Sequence, residues 1–353
     1  MKASFRTGLV LCLAWLPLSV FAQQPGAPEQ IQTSPAPVAN GQLTLDVVVS
    51  DRSGKAVRGL HEQDFVVLDN KKPQKILSFK ETGGSVQAEP PVTTFLMVDE
   101  VNTSYNNVAY VRDEIKKFLL QNGGELAHPV TLGFFSDAGT QILDGSSRDG
   151  KALLASFDKH ETALRTVRRS QGVYGADERF HLSLQTMNAL VERAGQIPGR
   201  KLVIWISPGW PLLSGPNIQL SGNDQKGIFQ SIVSASTTLR NARVTLYAID
   251  PLGLSDFSRV TYYQEFLKPV LAPKNAQLAN LSLQVLATQS GGLVLTGSTD
   301  IAAQIQRAMA DADAFYTLTV EMPSTEPNQF HAIDVKLEQS GLTARTRHGY
   351  YGQ

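Results

Sequence analysis

Thr93-Thr94-Phe95-Leu96-Met97-Val98-Asp99-Glu100-Val101-Asn102-Thr103-Ser104 is the stretch on which the fold of this 353-residue chain turns. Its first six residues are a short run with no polar alternation, which fits a strand buried on both faces of a parallel sheet. A carboxylate closes the run, and Asn102, Thr103 and Ser104 suit the start of a helix, expected from Asn107. A buried strand that delivers an acidic residue into a loop before a helix is one half of a βα unit.

Outward from that unit the same grammar repeats. Apolar runs at 130–135, 202–206, 244–249 and 293–296 read as further strands. Between them lie helical stripes: Val108, Val111, Ile115, Phe118 and Leu119; Leu184, Met187, Val191 and Ala194; Ile228, Ile232, Ala235 and Leu239; Leu278, Leu281 and Val285; Ile301, Ile305 and Ala308. Each stripe follows the helical repeat. The alternation predicts an α/β domain over 91–312, a doubly wound, mostly parallel sheet covered by helices. Ligands of such sheets bind beyond the carboxyl ends of the strands. The loops at that edge start at Asp99, Ser136, Ser207 and Asp250, with a fifth before Phe180.

The flanks read differently. Leu43, Leu45, Val47 and Val49 alternate with polar residues, and 65–68 and 76–79 are two more strand runs, joined at Asp69-Asn70. Three strands within 41–82 are few for an independent core. Alternation returns in 313–353 with Tyr316, Leu318 and Val320, then Ile333, Val335 and Leu337, then 343–347. The two flanks are expected to pair into one antiparallel unit, with the α/β domain inserted between them. Residues 81–91 are the connecting Gly/Pro linker.

The N-terminus is expected to direct export. Lys2 and Arg6 precede an apolar run at 8–18, too short to span a bilayer, and Val20 and Ala22 suit cleavage, giving a signal over 1–22. Residues 23–40, rich in Pro, Gln, Ala and Ser, read as a disordered tether. No transmembrane segment is expected after cleavage, and the destination is periplasm, cell surface or medium. The one cysteine, Cys12, lies inside the signal. Disulfides, thiolate metal sites and a cysteine nucleophile are therefore excluded from the mature chain. The 32 basic and 32 acidic residues balance, which points away from nucleic acid as a partner. Arg165 to Arg169 holds three arginines and reads as a solvated loop.

Motifs of catalysis are missing. There is no Gly-x-Ser-x-Gly elbow, no Gly-x-Gly-x-x-Gly after a strand, no P-loop lysine motif, and no His-Glu-x-x-His among the six histidines. Asp311 and Asp313 read as solvated residues of a helix end. The chain is expected not to be an enzyme.

Several segments together resemble the von Willebrand factor A domain and, more narrowly, the exported A-domain-related proteins typical of acidobacteria. They are Val57-Arg58-Gly59-Leu60 with Asp64-Phe65, Asp99 with Asn102-Thr103, Gly199-Arg200-Lys201 leading into Trp205-Ile206-Ser207, Tyr247-Ala248-Ile249-Asp250, and Gly349-Tyr350-Tyr351. In that family Asp-x-Ser-x-Ser, a Thr and a second Asp hold a divalent cation that grips a carboxylate of a partner. The resemblance implies a degenerate form of that site here. Asp99 and Thr103 match, Asn102 and Ser104 offer oxygens from shifted positions, and Asp177 substitutes for the Thr. Val101 and Ser207 stand where an oxygen and a carboxylate belong, so Mg²⁺ would be held weakly. The alternative role for this loop is a helix cap or turn. Asp99, Ser207, Trp210 and Asp250 make up the expected partner-binding edge, with Trp210 either an exposed anchor or tucked under its own loop. Asp250, before Pro251, is otherwise a turn residue. The implied function is an adhesion-type module for a protein or extracellular-matrix-like ligand; the alternative is an envelope scaffold without metal-dependent binding.

Overall fold

Alternate residues of a strand point to opposite faces, so a strand that is apolar throughout can serve two cores. The computed structural model shows this division. It describes residues 41–83, 85–86, 88, 90–160, 172–215, 218–253, 261–322 and 326–353. The expected signal, the tether and the arginines at 165–169 lie outside them.

The antiparallel part begins with β1 (Gln42–Ser50), β2 (Phe65–Asp69), β3 (Lys72–Pro73) and β4 (Ile76–Gly83). The α/β part follows with β5 (Thr93–Asp99), α1 (Tyr105–Leu120), β6 (Glu125–Ser136), β7 (Gly139–Ile142), β8 (Ser147–Asp149), α2 (Gly150–Lys159) and α3 (Gly172–Gly195). It continues through β9 (Lys201–Ile206), α4 (Gly222–Asn241), β10 (Val244–Ile249), α5 (Leu283–Gln289), β11 (Val294–Leu295) and α6 (Ile301–Asp313). The chain closes with β12 (Ala314–Glu321), β13 (Phe330–Leu337), β14 (Thr343–Arg345) and β15 (Gly349–Tyr351).

The central sheet runs β11-β10-β9-β5-β6-β7, with β8 also paired to β6. Read from β7 and numbered without β8, that order is 3-2-1-4-5-6, the doubly wound arrangement whose order reverses between its first and fourth strands. Here those strands are β5 and β9, which lie side by side in parallel with Met97 opposite Trp205 and Val98 opposite Ile206. The pairs β5·β6, β9·β10 and β10·β11 are also parallel, whereas β7 and β8 run antiparallel to β6. Phe95, Met97, Val203, Trp205 and Leu246 pack with α3, α4 and α5 on one face. Leu96, Val98, Leu202, Ile204 and Tyr247 pack with α1, α2 and α6 on the other. Among the described residues no helix is long and apolar enough to cross a membrane.

The flanking strands form two four-stranded antiparallel sheets, β14-β1-β12-β4 and β15-β13-β2-β3. Between them lies a separate core of Leu43, Leu45, Val47, Phe65, Val67, Tyr316, Leu318 and Tyr350. β4 and β12 share a ladder from Gly83 opposite Ala314 to Ile76 opposite Val320, so the inserted α/β domain leaves and re-enters the sandwich at adjacent positions. Neighbouring tyrosines of β15 face opposite ways. Tyr350 enters the sandwich core, and Tyr351 enters the α/β core, where its hydroxyl donates to the Val270 carbonyl at 3.0 Å.

Three sequence expectations need correction. The first helix starts at Tyr105 rather than Asn107. The expected 278–285 helix is a 3-10 turn, Leu278–Leu281, followed by α5, because Ser282 between them is extended. Of the pair Asp311 and Asp313, Asp313 is exposed as expected, but Asp311 is not solvated. Asp311 is buried and accepts from the Tyr247 hydroxyl and from Arg345, while Asp313 lies 2.7 Å from His128 Nε2.

Candidate functional site

The switch point places Asp99 at the end of β5 beside Ser207, one residue past the end of β9. Asp99 is buried, and its carboxylate is ringed by donors. Oδ1 accepts from the backbone N–H groups of Val101 (3.0 Å) and Asn102 (2.7 Å). Oδ2 accepts from Asn102 Nδ2 (2.9 Å) and from the indole Nε1–H of Trp205 (3.1 Å). Burial pushes the Asp99 pKa up; the bonds from Asn102, Trp205 and Ser207 oppose that shift. Asn102 Nδ2 also donates to Ser183 Oγ on α3, tying the loop to a second element at 2.9 Å.

A carboxylate offers about four lone-pair sites. Four N–H donors already occupy those of Asp99. The remaining oxygens are neutral: Asn102 Oδ1 and Thr103 Oγ1 are buried without hydrogen-bond partners, and Ser207 Oγ accepts from Gly209 N–H at 3.1 Å. Val101, where a further oxygen belongs, is a fully buried hydrocarbon. Mg²⁺ requires near-octahedral oxygens, generally with carboxylates among them. This donor set does not fit it, because its one carboxylate, Asp99, is spent on N–H groups. No group of three or more His, Cys, Asp or Glu side chains could hold a metal ion among the described residues.

The other expected site residues separate. Ser104 is the N-cap residue of α1 by backbone geometry, but its side chain makes no capping bond. Asp177 is not in a loop; it is exposed on α3, 3.4 Å from His181 Nε2 one turn later. Trp210 is no exposed anchor: it is buried and meets Trp205 edge-to-face with centroids 5.2 Å apart. Asp250 is buried too, and its Oδ1 accepts from Leu252 N–H at 2.9 Å, which is the turn role. Asp99, Asn102, Ser207, Trp205 and Trp210 therefore form one packed cluster around the carboxylate.

Sequence reasoning missed Trp205 as the donor that closes the carboxylate. It stands two residues before Ser207 in an apolar run, but only knowledge that β5 and β9 are neighbours makes that position meaningful. It also missed Glu100 and His160. Glu100 is buried, with Oε1 3.4 Å from His160 Nε2. His160 stacks on Phe134 at 3.5 Å, and Nδ1 lies 3.0 Å from Gln141 Oε1. Burial, then the nearby Arg112 guanidinium, lowers the His160 pKa. A cleft of about 670 Å³ opens here at the end of β6, lined by Ser136, Thr140, Gln141, Ser156, Lys159 and His160.

The outer edge carries exposed apolar side chains. Tyr105 opens α1 and is 60% exposed, and near the start of α3 Val173 and Tyr174 are 61% and 92% exposed. Ser183, which meets Asn102, lies nine residues after Tyr174 on the same helix. At 1.5 Å per residue the first turns of α3 extend roughly 13 Å beyond the Asp99 loop.

No family model matches the chain, and no curated protein matches it. Solved structures similar to it include the human COPII-coat protein Sec24c (11% identity, 74% of this chain, 44% of that chain, TM-score 0.33). The SpRpn10 VWA domain is matched at 11% identity over 61% of this chain and 95% of that one, with TM-score 0.28. The pilus adhesin SpaC from Lactobacillus rhamnosus GG is matched at 11% identity over 86% of this chain and 50% of that one, with TM-score 0.35. This chain thus spans half or less of the Sec24c and SpaC chains.

Proposed function

We propose that this chain is an exported interaction module of the von Willebrand factor A-like type, whose carboxyl edge docks a protein or extracellular-matrix-like ligand without a metal ion. The observation that carries this reading is the exposure of Tyr105, Val173 and Tyr174 at the rim of the switch point. Tyrosines supply large contact area at low entropic cost and concentrate in interface hot spots. Open α/β sheets take their ligands at this edge. The strand order 3-2-1-4-5-6, with an aspartate closing the first strand, supports the A-like assignment. On this reading the chain is not an enzyme, and residues 1–22 are removed during export.

The test is photo-crosslinking in envelope extract from positions 105, 174 and 120. Leu120 is the control, since it is exposed at the opposite end of α1. Adducts from 105 and 174 but not from 120 support the edge. Equal adducts from all three would sink it. A second reading, a scaffold of the envelope using another surface, is favoured by the closed Asp99 loop, which leaves that carboxylate nothing to offer a ligand. It predicts that a partner is retained by a Tyr105→Ser, Tyr174→Ser double variant. Sequencing the N-terminus of the envelope-derived protein tests export, with Gln23 expected first.

A further inference from the structure

The Gly199-Arg200-Lys201 motif takes no part in the edge. It lies at the amino end of β9, where the α/β domain meets the sandwich. Gly199 has φ +85°, and a Cβ there would sit 2.7 Å from Pro90 Cγ, so the chain turns tightly against the linker. The turn leaves a cavity of about 70 Å³ lined by Lys80, Thr82, Arg200, Arg243, Phe315 and Thr317, among others. We infer that this cavity is a binding site for a small tetrahedral oxyanion, phosphate or sulfate, that joins the two domains.

Three cations line the cavity. Arg243 is answered by Asp46, with Nη2 2.5 Å from Oδ1 and Nε 3.3 Å from Oδ2. Arg200 is 2% exposed and lies over the Phe315 ring at 4.5 Å. Its Nη1 donates to the Asp311 carbonyl at 2.7 Å, and its Nε–H has no partner. Lys80 is exposed and enters from the β4 side, across the ladder from Thr317. The Asp46 carboxylate thus answers Arg243 and Arg200, and Lys80 adds a third positive charge to the lining. The surroundings add Arg345, answered by the buried Asp311, and Lys201, whose Nζ donates to the Ile197 and Gly199 carbonyls at 2.7 Å, together with Arg347. Lys201 is buried and its pKa is pushed down to about 8, first by burial and then by Arg243. Arg347 is also buried and is pushed down to about 9 by burial and by Arg240. Buried cations in excess need an anion. A water-sized atom needs roughly 10–15 Å³ of such space, so the cavity holds about five to seven, enough for the heavy atoms of phosphate or sulfate. Guanidinium N–H groups and an ammonium are the donors that oxyanions take. The positive lining excludes a metal cation, and the volume excludes a nucleotide.

Calorimetric titration of the full-length protein with inorganic phosphate at pH 7 and constant ionic strength tests the site. One-site saturable binding is expected. Lys80→Ala should weaken it by about tenfold, the loss of one charge-assisted contact, and Lys80→Glu should abolish it. Lys80 is exposed, so both variants fold; matching circular dichroism checks this. Phosphate and sulfate also stabilise proteins by exclusion from the surface, so the difference between wild type and Lys80→Glu is the readout in melting experiments. A parallel titration with phenyl phosphate separates the sources. Binding of the free ion alone assigns a free oxyanion, and equal binding of both assigns the phosphoryl end of a larger ligand. Absence of phosphate binding, or identical titrations for wild type and Lys80→Glu, would overturn the inference.

Discussion

Removing the Asp99 carboxylate should unlock the switch-point loop. Asp99→Ala strips the acceptor from four N–H donors, and two of them, Val101 N and Trp205 Nε1, belong to fully buried residues. Each buried donor that loses this acceptor costs about 1–3 kcal/mol, giving about 2–6 kcal/mol for the two. Asn102 Nδ2 keeps Ser183 Oγ and adds little. Loss of a desolvated carboxylate returns part of the cost, since burial raises the Asp99 pKa. The net expectation is therefore about 2–4 kcal/mol of destabilisation, a large share of the roughly 5–15 kcal/mol typical of a native protein. Urea unfolding followed by tryptophan fluorescence measures it. Trp205→Phe removes only the N–H and part of the ring, and in a double-mutant cycle the pair should couple by more than about 0.5 kcal/mol, the range within which independent sites add. Asp99→Ala within about 0.5 kcal/mol of wild type, the range of a neutral surface substitution, would refute the donor-filled carboxylate.

Magnesium at millimolar concentration is expected to leave the melting temperature of wild type and of Asp99→Ala alike, and a wild-type-only shift would restore the metal site. Burial pushes the Lys201 pKa down to about 8 from the ordinary lysine value of 10.5, so between these values the unfolded chain binds the extra proton. Its contribution to stability therefore rises with pH across that window; measured as wild type minus Lys201→Met from pH 7 to 9.5, a flat difference would show that the ammonium is not desolvated. Gly349→Ala places a methyl 2.3 Å from the His331 carbonyl oxygen and 2.4 Å from the Phe330 ring. It should cost about 1–3 kcal/mol by overpacking, read as a lower urea midpoint at unchanged slope.

The strands of the α/β domain were legible because burial on both faces leaves no polar residue to blur the run, as in β5, β9 and β10. The short edge strands β7 and β8 were not, since Gly139 to Ile142 and Ser147 to Asp149 are half exposed and carry no apolar signal. Asp99 was legible as the end of a strand. Its chemistry was not, because Trp205 is 106 positions away and becomes a partner only through the parallel register of β5 and β9. Trp210 and Asp311 show the same limit: neither the buried indole nor the buried carboxylate announces its distant partners in its neighbours along the chain. Tyr174 was passed over because one exposed aromatic at a helix start has no pattern of its own.

The β4–β12 ladder has a mechanical consequence. The α/β domain departs after Gly83 and returns at Ala314, and these two residues are direct partners in an antiparallel pair. Tension applied through β1 therefore passes across the sandwich by way of β12 and β14, its neighbours in the sheet, and is shared with β4. The two connections of the inserted domain are thus clamped side by side, and drawing them apart requires shearing the ladder between β4 and β12.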